Sequence, residues 1–171
     1  MNELVQKISN YNIFNYLFPG IIVCYFMERF GIYTFFHKDF FVNAFVCYFV
    51  GLCLSRISSL VVSPLLRKTR FFTSEPYSDY IEASRIDSKI EVLLEASNSY
   101  RTLIVAFGIF PIAFIIKFWG QVWHSQEWTV CLVFTSLSLL FVFSYQKQND
   151  FINKRVKNAI KKNKEQKNVN S

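Results

Sequence analysis

The side chains able to do chemistry are few and scattered. The two histidines, His37 and His124, stand far apart in the chain. No His-x-x-x-His, Gly-x-Ser-x-Gly or Gly-rich phosphate loop occurs. Five glycines in 171 residues leave little material for a nucleotide cradle. Carboxylates recur at helical spacing in Asp79, Glu82, Asp87, Glu91 and Glu95, but they alternate with Arg85 and Lys89. That alternation is the pattern of a solvated helix face. The four cysteines, Cys24, Cys47, Cys53 and Cys131, sit in apolar runs without a Cys-x-x-Cys pair or a nearby His. They read as small packing residues rather than metal ligands or disulfide partners. The expectation is a protein that is not an enzyme, with no catalytic residue, metal or cofactor.

The elements carrying these residues are apolar. Lys7 and Glu28 bracket twenty uncharged residues, and Asp39 and Arg56 bracket sixteen. Arg101 and Lys117 bracket fifteen, and Glu127 and Lys147 bracket nineteen. A helix needs about 20 mostly apolar residues to cross the hydrocarbon core. The first and last stretches meet this unaided. The middle two meet it if Arg56 and Lys117 snorkel to an interface. A soluble bundle would show charged faces at 3.6-residue spacing. Neither Phe40 to Ser55 nor Trp128 to Gln146 has one, and twenty Phe suit lipid contact. The fold class expected is all-α: a four-helix integral membrane protein with a cytoplasmic helical extension between spans 2 and 3. Residues 1–146 form the membrane domain, including the loop 67–101, and 147–171 form a basic tail, disordered from 163. The first stretch lacks a small-x-small cleavage site and is read as a retained anchor. Pro19-Gly20 and Pro111 with Gly108 are expected to kink their spans.

With four spans, sixteen of the nineteen Lys and Arg share one side; Arg29, Lys38 and Lys117 are the exceptions. Excess Lys and Arg mark the cytoplasmic side. Both termini and the middle loop are therefore expected on the cytoplasmic side of the membrane. Trp119, Trp123 and Trp128 gather where an outer aromatic belt would lie.

The middle loop is near-neutral and helical in pattern. Ser78 is placed to cap one helix, and Ser88 to Glu91 reads as a capping box for a second. Nothing breaks the chain between Ser88 and Gly108, so the third span is expected to be the outer end of one long helix. Ile86, Ile90, Leu93 or Leu94, Ser97 and Tyr100 share a helical face. A segment this short seldom folds alone. Its face is expected to pack on the second span, a neighbouring copy or a cytoplasmic protein partner; the alternative is a connector packed on itself. Arg56 has two readings: a marker of the inner interface, or the partner of Glu91 or Glu95 across the stalk. Asn12, Asn15, Asn43, Thr135, Ser136 and Ser138 are candidates for hydrogen bonds between helices. The candidate interaction or coupling residues are thus Arg56, Ile86, Ile90, Leu93, Leu94 and Tyr100. The tail carries eight basic and two acidic residues. A juxtamembrane basic segment is attracted to anionic lipid at about 1 kcal/mol per residue near the surface. That accounts for the tail without direct contact to nucleic acid.

Several short motifs carry a resemblance. They are Asn12-Ile13-Phe14-Asn15, Phe18-Pro19-Gly20, Ser55-Arg56-Ile57, Pro76-Tyr77-Ser78-Asp79-Tyr80, Lys89-Ile90-Glu91-Val92-Leu93 and Asn98-Ser99-Tyr100-Arg101. Together they resemble small four-span bacterial membrane proteins, some found near antiphage defence genes. The resemblance runs to about Lys154. It implies a homo-oligomeric membrane sensor or effector of a defence module. A constitutive channel or transporter subunit is the alternative. None of the motifs carries a chemical role across.

Overall fold

A computed structural model of the protein describes residues 13–69, 76–117 and 125–169. All elements in these residues are helical. A π-helical stretch, Ile13–Leu17, leads into α1 (Phe18–Arg29). Helix α2 (Phe40–Ile57) passes through a second π-helical stretch, Ser58–Val62, into the short α3 (Ser63–Lys68). Then come α4 (Tyr77–Ile86), α5 (Lys89–Lys117) and α6 (Ser125–Val169).

Three rods are long and apolar enough to cross a membrane: Phe40–Lys68, Lys89–Ile116 and Trp128–Asn163. The expected first span begins among residues outside the described ones, as do Asn12, Trp119, Trp123 and His124. The long third helix is there: α5 runs unbroken from Lys89 through Pro111 to Lys117. Outward faces of the rods carry Phe41, Phe45 and Phe49 on α2, Ile116 on α5, and Leu132 and Phe143 on α6, all exposed. Continuous apolar exteriors of this kind fit lipid rather than water.

Proline shapes two of the rods. Each π-helical stretch ends two residues before a proline, Pro19 or Pro64. A proline has no N–H to give, and its ring crowds the carbonyl four residues back. Widening the preceding turn to the π form relieves that crowding without ending the rod.

Helices α1 and α2 cross at glycine. A Cβ on Gly20 would lie 1.7 Å from the Cys47 carbonyl oxygen, and one on Gly51 would lie 1.7 Å from that of Tyr16. The two backbones touch there. Beyond the crossing, α1 ends at Gly31, whose φ of 60° needs no Cβ. The Ile32 amide donates to the Met27 carbonyl and the Gly31 amide to that of Glu28, a Schellman closure. The Asp39 carboxylate then caps α2, accepting from the amides of Phe41 (2.7 Å) and Val42 (3.3 Å). Asn43, expected between helices, instead clamps this loop: it accepts from the His37 amide and donates to the His37 carbonyl.

Two apolar cores result. The first unites Val23 and Met27 of α1, Leu54 of α2, Ala106 and Phe110 of α5, and Phe134 of α6. Its middle is aromatic, with the Phe26, Phe30 and Phe110 rings all within about 6 Å of Phe134. The second core unites Ala83 of α4, Ile90 of α5, and Ile152, Val156 and Ala159 of α6.

Candidate functional site

Polar side chains lie between the two cores. Asn15, Ser58, Ser97 and Thr102 are all buried. Burying such groups is costly unless each is hydrogen-bonded. The Ser99 hydroxyl donates to Asn15 Oδ1 at 2.7 Å, joining α5 to the first π-helical stretch. Arg101 Nε donates to Ser58 Oγ at 3.3 Å, joining α5 to the second. The Ser58 hydroxyl itself donates to the Ser55 carbonyl at 2.7 Å. Toward α6, Ser97 Oγ donates to Asn149 Oδ1 at 3.0 Å and Gln148 Nε2 to the Leu93 carbonyl at 3.2 Å. No buried side-chain N or O among the described residues lacks a partner. The belt ties four segments together where the apolar rods give way to charged sequence. Higher up, Ser138 of α6 donates to the Ile104 carbonyl at 3.1 Å, an interhelical bond of the kind expected for it.

Below the belt, α6 continues through the basic tail. The helix runs on to Val169, through most of the stretch that the sequence assigns to disorder. Ile152, Val156, Ala159 and Ile160 fall at i, i+4, i+7 and i+8 and form one apolar stripe. Helix α4 and the base of α5 pack on that stripe, with Ala83, Ile90, Ile152 and Val156 fully buried. Polar contacts frame it. The Tyr80 hydroxyl donates to Asn153 Oδ1, Arg155 pairs with Asp87, and Asn163 Nδ2 donates to Glu82 Oε1 at 2.9 Å.

Asp87 has two tasks. Its carboxylate also accepts the Lys89 amide at 3.1 Å, so Asp87 rather than Ser88 caps α5. The second expected cap is also displaced. Ser78 lies inside α4, which starts after Pro76 without a side-chain cap. The Arg155 hydrogen bond, aided by the Lys89 amide, holds the Asp87 carboxyl below its ordinary value of 3.8. The folded chain therefore favours the ionised form. The contact adds stability at neutral pH and loses that addition as pH falls below the ordinary value toward the depressed one. Asp87 and Arg155 side chains are 26% and 32% exposed, so salt also weakens the pair. Spin labels at the exposed positions Arg85 and Lys161 are expected to report a broader distance distribution near pH 3 than at pH 7. Asp87→Asn should remove the difference; a pH response that survives it would place the titrating group elsewhere.

The six candidate residues do not share one surface. Ile90 is fully buried, and Leu93 and Leu94 pack against the same second core. Ile86 remains 48% exposed. Tyr100 lies above them, its ring 6.3 Å from that of Phe141. Arg56 is exposed and forms no ion pair with Glu91 or Glu95; the arginine that enters the belt is Arg101. Cys24 and Cys47 are buried side by side at the α1–α2 crossing and unlinked. Among the described residues no three His, Cys, Asp or Glu side chains gather as metal ligands. The sequence shows a modest amphipathic pattern over 151–160, in the 4-3-1 spacing beneath the lysines, but not that α4 and the base of α5 cover it.

Comparison with protein-family models, curated proteins and solved structures gives no match.

Proposed function

We propose that the chain is a small homo-oligomeric inner-membrane protein with both termini in the cytoplasm, spanning the bilayer four times. It serves as the membrane sensor or effector of a bacterial antiphage defence module. The resemblance of its short motifs supports the defence setting. One observation supports a coupling role: α5 and α6 each run without a joint from the first core, through the belt, into the second core. A cytoplasmic protein that displaced α4 from the tail stripe would load both membrane helices directly. Exposed Tyr77, Ile81 and Ile86 on α4 offer it a foothold. The work is mechanical and needs no catalytic group.

The test is phage plating on cells carrying the chain with its neighbouring genes. Wild type should lower plaque counts, and Val156→Asp, which breaks the second core, should restore them at equal membrane abundance. Equal protection by both would sink the coupling role. The alternative, a constitutive channel, requires a path between copies, because aromatic rings fill the first core. Solute flux from the purified chain alone in liposomes would favour that reading.

A further inference from the structure

On the outward face of α6, Ser136, Leu139, Leu140, Phe143, Ser144 and Lys147 line a groove of about 510 Å³. Leu139, Leu140 and Phe143 are all exposed there. The two hydroxyls are turned back on their own helix: Ser136 donates to the Leu132 carbonyl at 2.7 Å and Ser144 to that of Leu140 at 2.9 Å. The groove thus presents an apolar wall with one cation, Lys147, at its end. Exposed Trp128 lies nineteen residues before Lys147 on the same helix. At 1.5 Å per residue that is about 29 Å, close to the hydrocarbon thickness of a bilayer. With Trp128 at one interface, the Lys147 ammonium sits at headgroup level at the other.

We propose that this groove binds an anionic glycerophospholipid. One acyl chain lies along Leu139, Leu140 and Phe143, and the phosphate sits on the Lys147 ammonium. The proposal rests on the membrane reading of α6. It confines to one residue an attraction that the sequence spreads over the whole tail. Lys154 and Lys161 follow at seven-residue steps on the same face and are exposed. Each step carries them about 10.5 Å further along the axis. Lys161 is therefore about 21 Å from Lys147, more than two Debye lengths at physiological salt. It also faces Glu165 at 3.9 Å. Of Lys147, Lys154 and Lys161, Lys147 alone lines the apolar groove and can meet both an acyl chain and its phosphate.

The experiment uses the full chain, first washed in alkaline carbonate while in membranes, then purified in a neutral detergent. Release by carbonate would overturn the membrane reading itself. Retention lets the site be tested separately. Dioleoylphosphatidylglycerol and dioleoylphosphatidylcholine are added in turn, and bound lipid is read by native mass spectrometry and thermal unfolding. The anionic lipid should stay bound and raise the melting temperature, and the zwitterionic one should do neither. Lys147→Gln should weaken the anionic lipid about fivefold, as expected for one lysine–headgroup contact. A Lys161→Gln/Lys162→Gln double variant should leave it unchanged. Equal response to both lipids, or a loss that follows the double variant instead of Lys147, would overturn the site. So would Phe143→Cys chains that cross-link to one another in membranes, because a second copy would then fill the groove.

Discussion

Gly51→Ala is expected to lower the melting temperature of the purified protein by roughly 6–12 °C or to prevent its recovery as a monodisperse species. The added Cβ would sit 1.7 Å from the Tyr16 carbonyl oxygen. Both parties to that clash are backbone, so no rotamer change relieves it. Helix α2 would have to move away from α1. That parting would loosen Val23 against Leu54 and the edge-on Tyr16–Tyr48 pair at 5.8 Å. Overpacking of this kind typically costs 1–3 kcal/mol, occasionally more, and about 3 kcal/mol shifts the melting temperature by the stated amount for a chain of this size. Gly20→Ala should act alike, because its Cβ would lie 1.7 Å from the Cys47 carbonyl oxygen. Gly108→Ala is the control. Its Cβ would approach only Ser138 Oγ, at 3.4 Å, an ordinary contact. Alanine also favours helix over glycine by roughly 0.8–1 kcal/mol, so this variant should melt no lower than wild type. If Gly51→Ala behaves like Gly108→Ala, the backbones do not touch at this crossing.

The reasons these glycines escape a sequence reading are physical. A Gly-x-x-x-Gly motif declares a contact within one helix, whereas Gly20 and Gly51 belong to different helices and meet only after packing. The apolar rods are legible because uncharged runs of fifteen residues or more leave a helix no polar face to turn to water. The unbroken α5 is legible for a related reason: no strong breaker lies between Ser88 and Gly108. Arg56 shows the limit of this kind of reading. It is conspicuous as a charge inside an apolar run, yet helix rotation turns it outward and sends Ser58, two residues on, into the belt to meet Arg101. Asn15 and Ser138 were legible as polar groups needing a partner, while the identity of that partner depended on helix register. The tail misleads most. Eight cations dominate its composition, but they occupy only part of the helix circumference. Ile152, Val156 and Ala159 take another face and cover the loop's own apolar residues. The partner expected for Ile90 is thus supplied within the chain.

That covering makes Val156 the position where one substitution separates the two cores. Val156→Asp should release α4 from α6 while the first core stays folded. Val156 is fully buried among Ala83, Ile90 and Ile152. A carboxylate there would have no water and only apolar neighbours. Either its charge or the proton it takes up must be accommodated, at a cost of several kcal/mol. Above that level α5 is tied independently to α6 by Ser97–Asn149 and to the two π-helical stretches by Arg101–Ser58 and Ser99–Asn15. Loss of the second core therefore has a natural stopping point at the belt. Hydrogen exchange is the readout, since it resolves local opening from global unfolding. Amides of 77–86 and of 152–160 should exchange far faster in the variant, and those of 104–116 should keep their protection. Asn158→Asp places the same carboxylate two residues on, at an exposed position of the same helix, and should leave both regions as in wild type. Unchanged protection of 77–86 in Val156→Asp would mean that α4 does not depend on the tail stripe. Faster exchange throughout 104–116 would mean that the belt does not insulate one core from the other, and that the chain folds as a single cooperative unit.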